Sequence, residues 1–144
     1  MAFMRQLLET AKKYDITICL ENMPFLNFSI GSPSEILEFV QKMNDERFKI
    51  CLDTGHVAVY EGLDVADVIR ELSGEIRVLH LHDNDGKSDL HMLPNRGVIN
   101  WREVGRALRD IGFEGVYSYE TAKPEGMAES EYYQSLAEIA YENF

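Results

Sequence analysis

Residues 76–85 read Ile-Arg-Val-Leu-His-Leu-His-Asp-Asn-Asp, "IRVLHLHDND". An apolar, β-branched run stops abruptly at two histidines and two aspartates. The run has little polar alternation, which suits a parallel strand covered on both faces. A buried segment ending in groups that want water, a proton or a metal needs a reason for them.

Three other segments share the design: "DITICLE" (15–21), "FKICLD" (48–53) and "GVYSYE" (115–120). Amphipathic helical stretches alternate with them. An opening helix covers about Phe3 to Tyr14. The next starts at Ser32-Pro33-Ser34-Glu35, where Ser32 and Glu35 can form a capping box. Others open at Asp64 and Asn100, with apolar residues at helical spacing behind them. A last helix covers about Glu131 to Tyr141. The order α-βα-βα-βα-βα predicts an α/β fold of parallel βα repeats. No linker or change in composition divides the chain, so residues 1–144 are expected to form one domain.

Every predicted strand ends in a metal-type ligand: Glu21, Asp53, His82 and Glu120. The C-terminal edge of a parallel sheet is where α/β folds bind ligands. Three carboxylates and one imidazole suit a hard or borderline divalent ion, Mn²⁺, Mg²⁺, Co²⁺ or Zn²⁺. His56 lies three residues beyond Asp53, and Asp89 and His91 lie in the segment beyond His82, as candidates for a further metal or for substrate. His80 and Asp85 are candidates to orient the ligands.

The formal net charge is −11 and there is no basic run. Nucleic acid is therefore not expected as the main partner, because phosphates need a basic face. No apolar run is long enough to span a bilayer, and "MAFMRQLLETAKKYD" interleaves charge too closely for a signal peptide. Cys19 and Cys51 sit in apolar runs and read as buried thiols, consistent with a reducing cytoplasm.

With these motifs in view, the sequence resembles the xylose isomerase-like TIM-barrel superfamily, the AP endonuclease 2 family of sugar phosphate isomerases and epimerases. The matching motifs are "LEN" at Glu21, "LDTGH" at Asp53 to His56, "HxHDNDGKxDxH" from His80 to His91, "IxW" at Trp101 and "YET" at Tyr119 to Thr121. The resemblance implies that Glu21, Asp53, His82 and Glu120 hold the metal. It implies that Glu21 and Glu120 exchange a substrate proton through a metal-bound cis-enediolate, and that His56 binds substrate oxygens. The expected activity is isomerisation or epimerisation of a small sugar or sugar phosphate, with Lys87, Arg96 and Lys123 available to a phosphate. In the endonuclease IV branch, positions matching His56, Asp89 and His91 hold further zinc ions. A zinc phosphodiesterase acting at abasic DNA is therefore the alternative activity, and an inactive truncated half-barrel the third reading.

The family barrel has eight strands, and the motifs present belong to strands five to eight. Half a barrel leaves two strand edges unpaired and is expected to expose an apolar interior. A homodimer, or membership of a longer chain, is the expected remedy.

Overall fold

The computed structural model describes residues 2–24 and 30–144. Its elements run α1 (Ala2–Tyr14), β1 (Ile18–Glu21), α2 (Pro33–Met43), β2 (Phe48–Asp53), α3 (Thr54–Ala58), α4 (Val65–Leu72), a 3-10 turn (Ser73–Glu75), β3 (Ile76–Leu81), α5 (Trp101–Asp110), β4 (Val116–Tyr119) and α6 (Glu129–Asn143). Local chemistry sets most of the boundaries. Ser32 Oγ accepts from Glu35 N, and Glu35 Oε2 accepts from Ser32 N at 3.0 Å, so the capping box of α2 is complete. Asp64 accepts from the amides of Ala66 and Asp67 at the start of α4. Asn100 accepts from Glu103 N at the start of α5.

The four strands form one sheet in the order β1-β2-β3-β4, parallel throughout. One face carries Phe48, Ile50, Leu52, Leu79 and Leu81, all fully buried. They join a core with Ile36 and Val40 of α2, Val68, Ile69 and Leu72 of α4, and Trp101, Val104 and Leu108 of α5. Each such side chain contributes about 1.5–3 kcal/mol when taken out of water. This layer fixes the sheet, and the sheet fixes its C-terminal edge.

The other face follows from the two-residue period of a strand. Cys19 and Glu21, Cys51 and Asp53, Val78 and His80, and Val116 and Ser118 share it. Register supports this, since Asp53 pairs with His80 and His80 with Ser118. In a closed barrel this would be the interior. It is more polar than the sequence reading anticipated. Its most exposed apolar residue is Val116, at 58%, and most of its other members are charged, hydroxylic or sulfur-bearing. β1 and β4 are the edges of the sheet.

Two local departures from expectation matter. β1 starts at Ile18 and not Asp15, because Asp15 takes φ 57° and turns the chain there. α3 follows β2 with no loop between them. Asp53 caps it directly, its Oδ1 accepting from His56 N at 2.8 Å. Among the described residues, no helix is long and apolar enough to cross a membrane.

Candidate metal centre

The residues singled out at the strand ends converge, in two adjoining groups. Glu21, Asp53, His80 and Glu120 each offer one ligand atom within 4.8 Å of the others. His80 Nδ1 lies 3.0 Å from Glu21 Oε1 and 3.1 Å from Glu120 Oε1. His56, His82, Asp89 and His91 form the second group on the same criterion. There Asp89 Oδ2 lies 3.3 Å from His56 Nε2 and 3.4 Å from His91 Nε2. The rings of His82 and His91 stack at 4.2 Å.

Asp53 joins the two groups. It is wholly buried, with Oδ1 2.8 Å from His82 Nε2 and Oδ2 4.0 Å from His80 Nδ1. The sequence reading gave the nitrogen ligand to His82 and an orienting role to His80. The structure puts His80 on the face shared by the three carboxylates, and puts His82 one step past β3, on the far side of Asp53. Asp85 reaches neither group. Its Oδ1 accepts from Lys87 N and Ser88 N and closes a turn.

Three residues outside the sequence reading hold the site in place. Asn22 clamps Asp53 through both backbone groups: Nδ2 donates to Asp53 O at 3.0 Å and Oδ1 accepts from Asp53 N at 2.7 Å. The Asn22 carbonyl also lies 2.7 Å from His56 Nδ1, leaving Nε2 to face Asp89. Thr54 Oγ1 accepts from His82 N at 3.2 Å, bridging β2 to the end of β3. Asp83, fully buried, accepts from Asn84 N, Gly97 N, Ile99 N and Trp101 Nε1 at 2.9–3.1 Å. That carboxylate ties the loop carrying Asp89 and His91 to the start of α5. Gly97 belongs to the same knot, since a β-carbon there would overlap Asp83 and the Asn84 carbonyl. The sequence signal for Asn22 was its place in "LEN"; Asp83 was masked by the neighbouring histidine.

Electrostatics follow from the crowding of carboxylates. His80 is held above its ordinary pKa, chiefly by its hydrogen bond to Glu21. Burial works against charge on His82, but the Asp53 and Asp89 carboxylates outweigh it and its pKa also rises. Burial is the main cause pushing up the Cys51 thiol, with the acidic cluster adding to it. Both cysteines are free.

The donor set suits a divalent cation. Asp53 Oδ2 and Asp89 Oδ1 are buried without a hydrogen-bond partner. Orphaned acceptors of this kind are costly in a fold unless something else occupies them. Oxygen and imidazole ligands at this density fit Mn²⁺, Mg²⁺, Co²⁺ or Zn²⁺.

A family model described as the xylose isomerase-like TIM barrel matches residues 1–141. The chain belongs to that family. Among curated relatives, a D-psicose 3-epimerase from Enterocloster bolteae is 30% identical over 113 residues, covering 78% of this chain and 36% of that protein. A probable endonuclease 4 from Mycoplasmopsis agalactiae is 27% identical over 128 residues, covering 81% and 45%. A crystal structure of a D-tagatose 3-epimerase-like protein superposes with a TM-score of 0.75 at 28% identity, over 98% of this chain and 54% of the other. The chain thus spans less than half the length of these two curated relatives. Its four-stranded parallel sheet is a partial xylose isomerase-like barrel.

Proposed function

We propose that this xylose isomerase-like chain is a divalent-metal-dependent epimerase or isomerase of a small sugar or sugar phosphate. The observation that carries the reading is the meeting of Glu21 and Glu120. They come from opposite edges of the sheet, yet both stand within hydrogen-bond distance of one nitrogen, His80 Nδ1. Two carboxylates brought in from opposite sides suit removal of a proton from carbon on one side and its return on the other. The names of the epimerase relatives support the same chemistry.

When bound, a divalent cation held by Glu21, Asp53, His80 and Glu120 supplies polarisation of substrate oxygens and compensates developing negative charge. His80 takes the nitrogen position that the sequence reading gave to His82, because its Nδ1 stands with the three carboxylates whereas His82 Nε2 stands with His56, Asp89 and His91. Glu21 takes the proton from the carbon beside the carbonyl and Glu120 returns one. His82 keeps Asp53 oriented, and His56 binds a substrate oxygen. Residues 1–144 act as one domain of the cytoplasm. The open edges of β1 and β4 are covered by a second four-stranded half, on a second copy or on a longer chain.

The test is turnover of a ketose panel in D₂O with Mn²⁺ or Co²⁺, reading deuterium incorporation at the epimerised carbon. Glu21→Gln and Glu120→Gln are each expected to abolish it, and incorporation that survives both would sink the reading. The second group, His56, His82, Asp89 and His91, favours one alternative, a zinc phosphodiesterase acting at abasic DNA. Cleavage of an abasic duplex with more than one zinc bound per chain would support that alternative.

A further inference from the structure

A cavity of about 510 Å³ opens beside the second histidine group, between the loop after β3 and the loop after β4. Its walls are mostly apolar, with Leu90, Met92, Leu93, Pro124 and Met127 prominent. Arg96 and Lys123 supply its only cationic side chains, and neither has a carboxylate partner among the described residues. His91 is common to the cavity and the site: it lines the cavity, and its ring stacks on His82.

The two walls are tied to each other and to the metal centre. Ala122 N donates to His91 O at 2.7 Å. His91 Nδ1 lies 2.6 Å from the Glu120 carbonyl. Lys123 Nζ donates to Met127 O at 2.7 Å, closing the turn between them. The cavity therefore adjoins the second histidine group through His91. Its size lies in the range that holds an organic ligand, and its lining, apolar with a few polar groups, is of the kind such ligands use.

A plain ketose has hydroxyls on every side and offers little to leucine, proline and methionine. An inorganic phosphate offers nothing to them either. We propose that this cavity binds an apolar, anion-bearing extension of the substrate, so that the substrate is a sugar carrying an aryl or alkyl group with an acidic end. Apolar surface is buried on the Leu90, Met92 and Met127 walls, and the acid meets Arg96 and Lys123. In a chain of net charge −11, a local cationic pair is what lets an anion approach at all. This proposal rests on the epimerase reading for the sugar but not for the cavity.

The test titrates ¹⁵N-labelled protein with 4-phenylbutyrate and, separately, with neutral 4-phenyl-1-butanol. Saturable shifts are expected at the amides of Leu90 to Leu93 and Ala122, with the acid binding at least about tenfold tighter than the alcohol. The double variant Arg96→Glu, Lys123→Glu is expected to remove that preference while the core amides keep their native shifts. Equal binding of acid and alcohol to the unaltered protein, or no saturable shift at these amides, overturns the proposal. Binding is read without turnover, so loss of the epimerase reading appears separately, as absent deuterium incorporation while the acid still binds.

Discussion

The Gly55 α-carbon faces the His82 ring so closely that a β-carbon there would overlap Cε1, Nδ1 and Nε2 of the imidazole. Gly55 lies in α3, where alanine would otherwise be the better helix former by about 1 kcal/mol. Overlap with a buried ring reverses that preference. Gly55→Ala is expected to destabilise the fold by about 1–3 kcal/mol and to displace His82. Thermal melts and Mn²⁺ titration calorimetry read the two effects. An alanine variant that is more stable, with cation binding intact, would contradict this packing.

The two histidines flanking Asp53 are expected to separate in the same calorimetry. His82→Ala removes a partner of Asp53 and should weaken Mn²⁺ binding by about 10–100-fold, as loss of an outer hydrogen bond does. His80→Ala removes the nitrogen ligand and should reduce binding below detection. The reverse order would transfer the nitrogen ligand to His82.

Asp83 is expected to be a stability hot spot. Asp83→Ala strands the donors of Ile99 and Trp101 in a buried place. Each unmet buried donor costs about 1–3 kcal/mol, so the variant should lose at least about 2 kcal/mol in urea unfolding. A loss under about 1 kcal/mol would mean that water or a backbone shift replaces the carboxylate.

Asp45 gives a pH test away from the site. The hydrogen bond from Lys12, reinforced by the Arg47 amide, holds its carboxyl below the ordinary value. A group depressed in the folded state adds stability above its unfolded pKa, and that stability is lost as pH falls through the folded pKa. The protein should therefore lose melting temperature on acidification below about pH 4, and Asp45→Asn should lose less over that interval. Parallel profiles for the two proteins would remove Asp45 from the account.

The strand–helix rhythm was legible because capping residues and β-branched runs announce themselves locally. Ser32 with Glu35, Asp64 and Asn100 all cap where their side chains indicated. The convergence of strand-end groups was also legible, since parallel strands deliver their last residues to one edge. The identity of the inward histidine was harder. His80 and His82 have the same parity, so which one faces the carboxylates depends on where β3 stops, and it stops at Leu81. The helical turn of α3 was hidden because Asp53 serves as both strand end and cap. Asn22 and Asp83 act through long-range bonds to backbone, which local sequence does not encode.

Asp53 presents one oxygen toward each histidine-bearing group, and so belongs to both. A single negative charge cannot be committed fully to two cations at once. Occupancy of one position must therefore change the affinity of the other, and by linkage the influence is the same in both directions. Titration with a second divalent ion should accordingly be cooperative or anticooperative, and replacing Asp53 should silence the conversation between the sites as well as weaken each.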